Sequence, residues 1–184
     1  MTPPSPFGGL PSGYREFPML KDEVKIHQAV SAIMGLQYNF DISTDPAITL
    51  CGSPFLKPDI LREPATSPPL QEIYVVSNLL PWKLRILASK YDFVSVSDVL
   101  GGLYCALRIP VKYGEYEGQR PEIKAAVSQA FERRVQTLAR IDTIAAQAER
   151  QKGLKRIDFM KGSHNFAGFT NDNARPNELI MHIR

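Results

Sequence analysis

The chain has 184 residues, 43% hydrophobic and 22% charged, with a formal net charge of +3. That balance excludes disorder throughout and suits one domain whose core buries roughly two-thirds of the unfolded chain's surface. Two cysteines, Cys51 and Cys105, are too few for a disulfide framework.

Residues 1–19 hold Pro3, Pro4, Pro6, Pro11 and Pro18 beside Gly8, Gly9 and Gly13. Such a stretch propagates neither helix nor sheet, so it predicts a flexible N-terminal strap. Its aromatics, Phe7, Tyr14 and Phe17, give it a means of pinning itself to its own domain or to a partner, with its own domain the expected one because an intramolecular contact costs less entropy. No apolar run has signal-peptide or membrane-spanning length, so the expectation is a cytoplasmic or nuclear protein without membrane contact.

A single domain is expected over residues 20–184. Leu20, Val24, His27, Val30 and Met34 fall at helical spacing and predict a short helix. Residues 41–70 carry Pro46, Pro54, Pro58, Pro64, Pro68 and Pro69 and predict a long irregular segment. EIYVVS at 72–77 is rich in β-formers. In WKLRILAS, Trp82, Leu84, Ile86 and Ala88 alternate with polar residues, and Leu87 alone breaks the pattern. A hairpin over 72–89 follows.

Ser95 and Asp98 form a Ser-x-x-Asp helix start, and Val96, Val99, Leu100, Leu103 and Leu107 share one face before Pro110. A second helix opens at Pro121 and its apolar stripe runs to Ala148, either continuous or broken near Asp142–Thr143. Beyond it, alternation of Ile157 and Phe159 with Arg156 and Asp158, then Phe166 to Phe169, then Leu179, Met181 and Ile183, predicts three strands. The order β-β-α-α-β-β-β is an α+β fold, with a mainly antiparallel sheet and two main helices packed to one side. Hairpin followed by helix resembles a β-grasp arrangement, an analogy that carries no function.

EPATSPPLQEIYVVSNLLPWKLRI, VSVSDVLGGLYCALRIPVKYGEY, AFERR, GLKRIDFMKGSHNFAGF and ELIMHI occur in this order, preceded by IHQAV and YNFDIS. Together they resemble a family of uncharacterised proteins of mushroom-forming (basidiomycete) fungi, known as a domain of unknown function. The resemblance implies one domain and a fungal source, and it brings no activity. His164 departs from the polar or basic residue usual at that turn, which argues against a shared catalytic role for it.

Chemistry-bearing residues are few. Asp158, His164 and the loop thiol Cys51 are the catalytic candidates. Trp82, Tyr104, Phe159 and Arg156 are the ligand-binding candidates, as walls of a pocket. Cys105 is expected near the buried face of its helix. The three histidines, His27, His164 and His182, lack the spacing of a zinc pair, so no metal is expected. Without a P-loop or G-x-G-x-x-G no cofactor is expected either. The pair Gly101–Gly102 predicts close helix-to-sheet packing. The basic residues Arg150, Lys152, Lys155, Arg156 and Lys161 suit a helix C-terminus, and Arg133–Arg134 is expected to be solvated or to lay its stems on apolar surface. Asp158 is expected to pair with Arg156. Aromatics interleaved on a basic face are missing, so nucleic acid is not the expected partner. What remains is a non-enzymatic protein-interaction or scaffold module, with a protein partner or self-association, and a cofactor-independent enzyme or small-ligand binder as the alternative.

Overall fold

Ser95 starts the best-defined helix. Its hydroxyl accepts from the Asp98 amide at 3.1 Å, and the Asp98 carboxylate accepts from the Ser95 amide at 2.9 Å. This reciprocal cap, worth about 1 kcal/mol, fixes the first turn of a helix over Val96–Leu107. The helix buries Val96, Val99, Leu100, Leu103, Ala106 and Leu107 beneath the hairpin. Each fully buried Val or Leu contributes about 1.5–3 kcal/mol. Gly102 makes the approach possible, because a Cβ there would stand 2.9 Å from Ile86 Cγ2.

The computed structural model describes residues 24–33, 36, 38–49, 52–172 and 175–184. In chain order the strands are β1 (Lys25–Ile26), β2 (Phe40–Asp41), β3 (Thr66–Ser67), β4 (Glu72–Val76), β5 (Leu84–Leu87), β6 (Asn165–Asn171) and β7 (Glu178–Ile183). The helices are α1 (Pro46–Thr49), α2 (Pro58–Arg62), α3 (Val96–Leu107), α4 (Tyr113–Glu117), α5 (Pro121–Ala139) and α6 (Thr143–Gln151), with a 3-10 helix over Arg156–Met160. The main sheet has the order β2-β6-β7-β4-β5, and β1 pairs separately with β3. All neighbours in the main sheet are antiparallel except β4 and β7, so the α+β sheet is mixed. The hairpin β4–β5 and the following helix stand as the alternation predicts.

One face of the sheet meets the helices. Ile73, Val75, Leu84, Ile86, Phe169, Leu179 and Met181 point into the core. Glu72, Tyr74, Val76, Arg85, Leu87, Ile180 and His182 lie on the other face, half-buried or exposed. Phe166 meets Phe40 and Phe169 edge-on, at 6.1 and 4.9 Å between ring centres.

Four expectations are corrected. Residues 24–33 are not helical: Ile26 pairs with Thr66, and Ser31 forms a parallel bridge with Phe169. Strand partners distant in sequence override the helical spacing there. The stretch Arg156–Met160 is a 3-10 helix, not a strand, because Asp158 turns back to accept the Lys155 amide at 2.8 Å. Lys161 then leaves it in the left-handed region, at φ 55°. Asp158 pairs with Arg134 rather than Arg156, which draws Arg134 out of solvent. Cys105 is exposed, on the outer side of α3. The second predicted helix is α5 and α6, broken where Asp142 caps α6 through the Ala145 amide. The irregular segment 41–70 contains the short α1, α2 and β3. The strap over residues 1–19 lies outside the described residues.

Candidate functional site: the open edge of the sheet

The two edges of the main sheet differ. Along β6, β2 pairs at Phe166 and Asn165, and the Ile42 amide donates to the His164 carbonyl. Farther along, Phe169 donates to Val30 and accepts from Ala32. Gly168 permits this approach: its φ is +104°, and a Cβ would stand 2.6 Å from the Ala32 nitrogen. On that side β6 is covered.

The β5 edge is not covered by any described strand. The Ala88 amide donates to the Gln71 carbonyl, and the Tyr74 amide donates away from β5 to Asn177. Main-chain groups alternate sides along a strand. Those of Leu84, Ile86 and Ala88 therefore face β4, and those of Arg85 and Leu87 point off the sheet. Leu87 is 49% exposed.

The side chains on this edge are held in place. Arg85 clamps the Glu72 carboxylate through Nε at 2.8 Å and a terminal nitrogen at 3.0 Å. These bonds from Arg85, then one from Tyr74, hold Glu72 down at about 2, and Glu72 in turn pushes the Tyr74 phenol up. Farther along the same face, Lys83 and Arg175 both pair with Glu178. At the end of β5 lies an open recess of about 350 Å³, lined by Gln71, Glu72, Leu87, Ala88, Tyr91 and Asp92. Tyr91 is stacked on Phe93, with ring centres 5.1 Å apart, and the Lys90 ammonium lies 5.9 Å from the Tyr91 ring centre.

The residues singled out in the sequence lie elsewhere. Trp82 and Phe159 meet edge-on at 4.8 Å, and the Arg156 guanidinium sits 5.0 Å over the indole. Trp82 Nε1 donates to Glu115 at 2.8 Å. The Lys112 amide holds the Glu115 carboxyl low against its partial burial, helped by Trp82 and the Arg156 charge. Arg156 Nε is buried and has no hydrogen-bond partner among the described residues. Tyr104 instead carries the Arg108 guanidinium, 3.5 Å over its ring.

Asp158 is buried and accepts Arg134 Nε at 2.8 Å and a second guanidinium nitrogen at 2.9 Å. Arg134 also pairs with Glu149, as does Lys155. Burial pushes the Glu149 carboxyl up, and Lys155, Arg134 and Lys152 outweigh it to hold the group low. Asp158 is thus the keystone between α5 and the 3-10 helix. His164 is half-buried just before β6; burial pushes its imidazole down, against the charges of Asp41 and Asp158. His27 bonds Glu63, and His182 bonds Thr170. Among the described residues no three His, Cys, Asp or Glu side chains stand together as metal ligands. Cys51 lies outside the described residues.

Sequence reasoning missed Arg85, Tyr91 and Asp92. The signal was Leu87, the apolar residue that breaks the alternation on the strand with a free edge.

Among the described residues no helix is long and apolar enough to cross a membrane. Comparison with curated proteins gives no match, and neither does comparison with solved structures. Residues 38–177, more than half of the chain and everything from β2 to the start of β7, match a family of unknown function, DUF6699, and the chain belongs to that family.

Proposed function

We propose that this protein is a non-enzymatic interaction module that takes up an extended strand along the free edge of β5. The observation that carries this reading is the pair of outward main-chain groups at Arg85 and Leu87, on the longer edge strand of a sheet whose β6 is lined by β2 and residues 30–32. An added strand satisfies such groups with main-chain hydrogen bonds, and side-chain pockets beside the edge choose among sequences. The recess at the end of β5 supplies such a pocket. We also propose a fungal cell, and its cytoplasm or nucleus, as the setting, which the resemblance of the sequence motifs supports for the source.

Selection from a displayed library of unstructured peptides tests the proposal. Selected peptides should slow hydrogen exchange at the Arg85 and Leu87 amides. Leu87→Pro should weaken them roughly tenfold or more, because it deletes an outward N–H while leaving the β4–β5 ladder intact. Peptides that bind with neither effect would refute it.

A second reading, small-ligand binding beside Trp82 and Phe159, is favoured by Arg156 Nε, which has no hydrogen-bond partner among the described residues. An anionic ligand is the chemistry that guanidinium would take. Quenching of the only tryptophan, Trp82, by a carboxylate or phosphate compound, lost in Arg156→Gln, would support it; no quenching by either class would sink it.

A further inference from the structure

We infer that the strand β5 receives belongs to a second copy of this chain, an inference that rests on the reading of β5 as a docking edge. The outward residues Arg85 and Leu87 are spaced two apart, which makes the edge its own complement. When two β5 strands run antiparallel about a two-fold axis through Ile86, Arg85 of each copy stands opposite Leu87 of the other. Both pairs then exchange their N–H and C=O groups.

Charge rules out one neighbouring register. Centring the axis on Arg85 would set the two guanidinium groups face to face. Centring it on Ile86 brings Arg85 of the second copy beside Leu87, at the mouth of the recess. Its aliphatic stem covers Leu87, and the one guanidinium nitrogen not bonded to Glu72 of its own chain is left to reach toward Asp92 at the recess wall. Glu72, the other carboxylate of the recess, remains held by Arg85 of its own chain. The main sheets of the two copies become one continuous sheet, and the exposed part of Leu87 is covered. An interface of one short strand makes the dimer weak and concentration-dependent.

Sedimentation velocity across a concentration series reads the outcome. The unaltered chain should pass from monomer to dimer. Leu87→Pro should weaken the dimer roughly tenfold or more, and Leu87→Lys, which keeps the N–H, is the companion variant if the proline chain fails to fold. Arg85→Glu and Asp92→Arg, each alone, should be monomeric, since each sets like charges across the interface. Mixed together they should dimerise, because every cross-copy contact then joins opposite charges. Loss of the Arg85–Glu72 pair within the chain is not the cause of the first effect if mixing restores the dimer. A monomer at every soluble concentration, a dimer indifferent to Leu87→Pro, or a mixture as monomeric as its parts would overturn the inference. A monomer that still binds displayed peptides through the Arg85 and Leu87 amides would sink the second copy alone and leave the docking reading standing.

Discussion

Removing the Asp158 carboxylate should cost the fold about 3 kcal/mol, at the lower end of the range for breaking a buried ion pair by deleting one partner. Asp158 is 2% exposed and accepts both prongs of the Arg134 guanidinium and the Lys155 amide. Asp158→Ala leaves those donors without that acceptor. The lower end applies because the Arg134 side chain is 22% exposed and keeps Glu149, so water and one carboxylate offset part of the loss. For a domain of this size each kcal/mol moves Tm by about 2–4 °C, so a drop of about 6–12 °C is expected. Thermal and urea unfolding followed by circular dichroism measure it. Asp158→Asn is the sharper variant: it keeps the shape but turns an acceptor into an amide N–H₂ facing N–H donors, so it should recover little. Arg134→Ala and the double variant close a cycle, and the coupling should exceed about 1 kcal/mol, above what exposed pairs give. A Tm within about 2 °C of the parent, or a coupling near zero, would show that the pair does not lock α5 to the 3-10 helix.

Gly168→Ala should destabilise by more than about 2 kcal/mol in urea unfolding, since the new methyl collides with the Ala32 backbone in a conformation L-residues rarely adopt; a change within about 0.5 kcal/mol would contradict the covered edge of β6. His164 makes stability pH-dependent. Its folded-state pKa is lowered by burial, so the native state favours the neutral ring, and that contribution is full above the unfolded value and lost as pH falls from about 6.5 through the lowered value. His164→Gln should flatten Tm against pH in that window; an unchanged slope would count against the buried neutral ring.

Local signals were legible wherever a segment's own pattern agreed with its tertiary surroundings. The β4–β5 hairpin and α3 follow from alternation, a capping box and a glycine packed on Ile86. The misread segments are those decided by partners far away in sequence. Val24, His27 and Val30 keep helical spacing, but Val30 and Ala32 bond to Phe169 and Ile26 pairs with Thr66. Ile157 and Phe159 alternate like a strand. What curls them is Asp158, whose carboxylate serves both the local cap and an arginine on α5. Of the candidate residues, Trp82, Phe159 and Arg156 do meet, but the edge of β5 was hidden. No single strand's composition reveals whether it lies at the centre or the margin of a sheet.

The position of β7 bears on how the chain is made. It lies between β6 and β4, yet it comes later in the sequence than either of them. A nascent chain can therefore close the β4–β5 hairpin and dock α3 early, but β6 and β4 stay unjoined until residues 178–183 emerge from the ribosome. During that interval two bare strand margins wait for the same insert, and either is open to a wrong neighbour. Synthesis, more than the finished fold, is when this sheet is most exposed to misassembly.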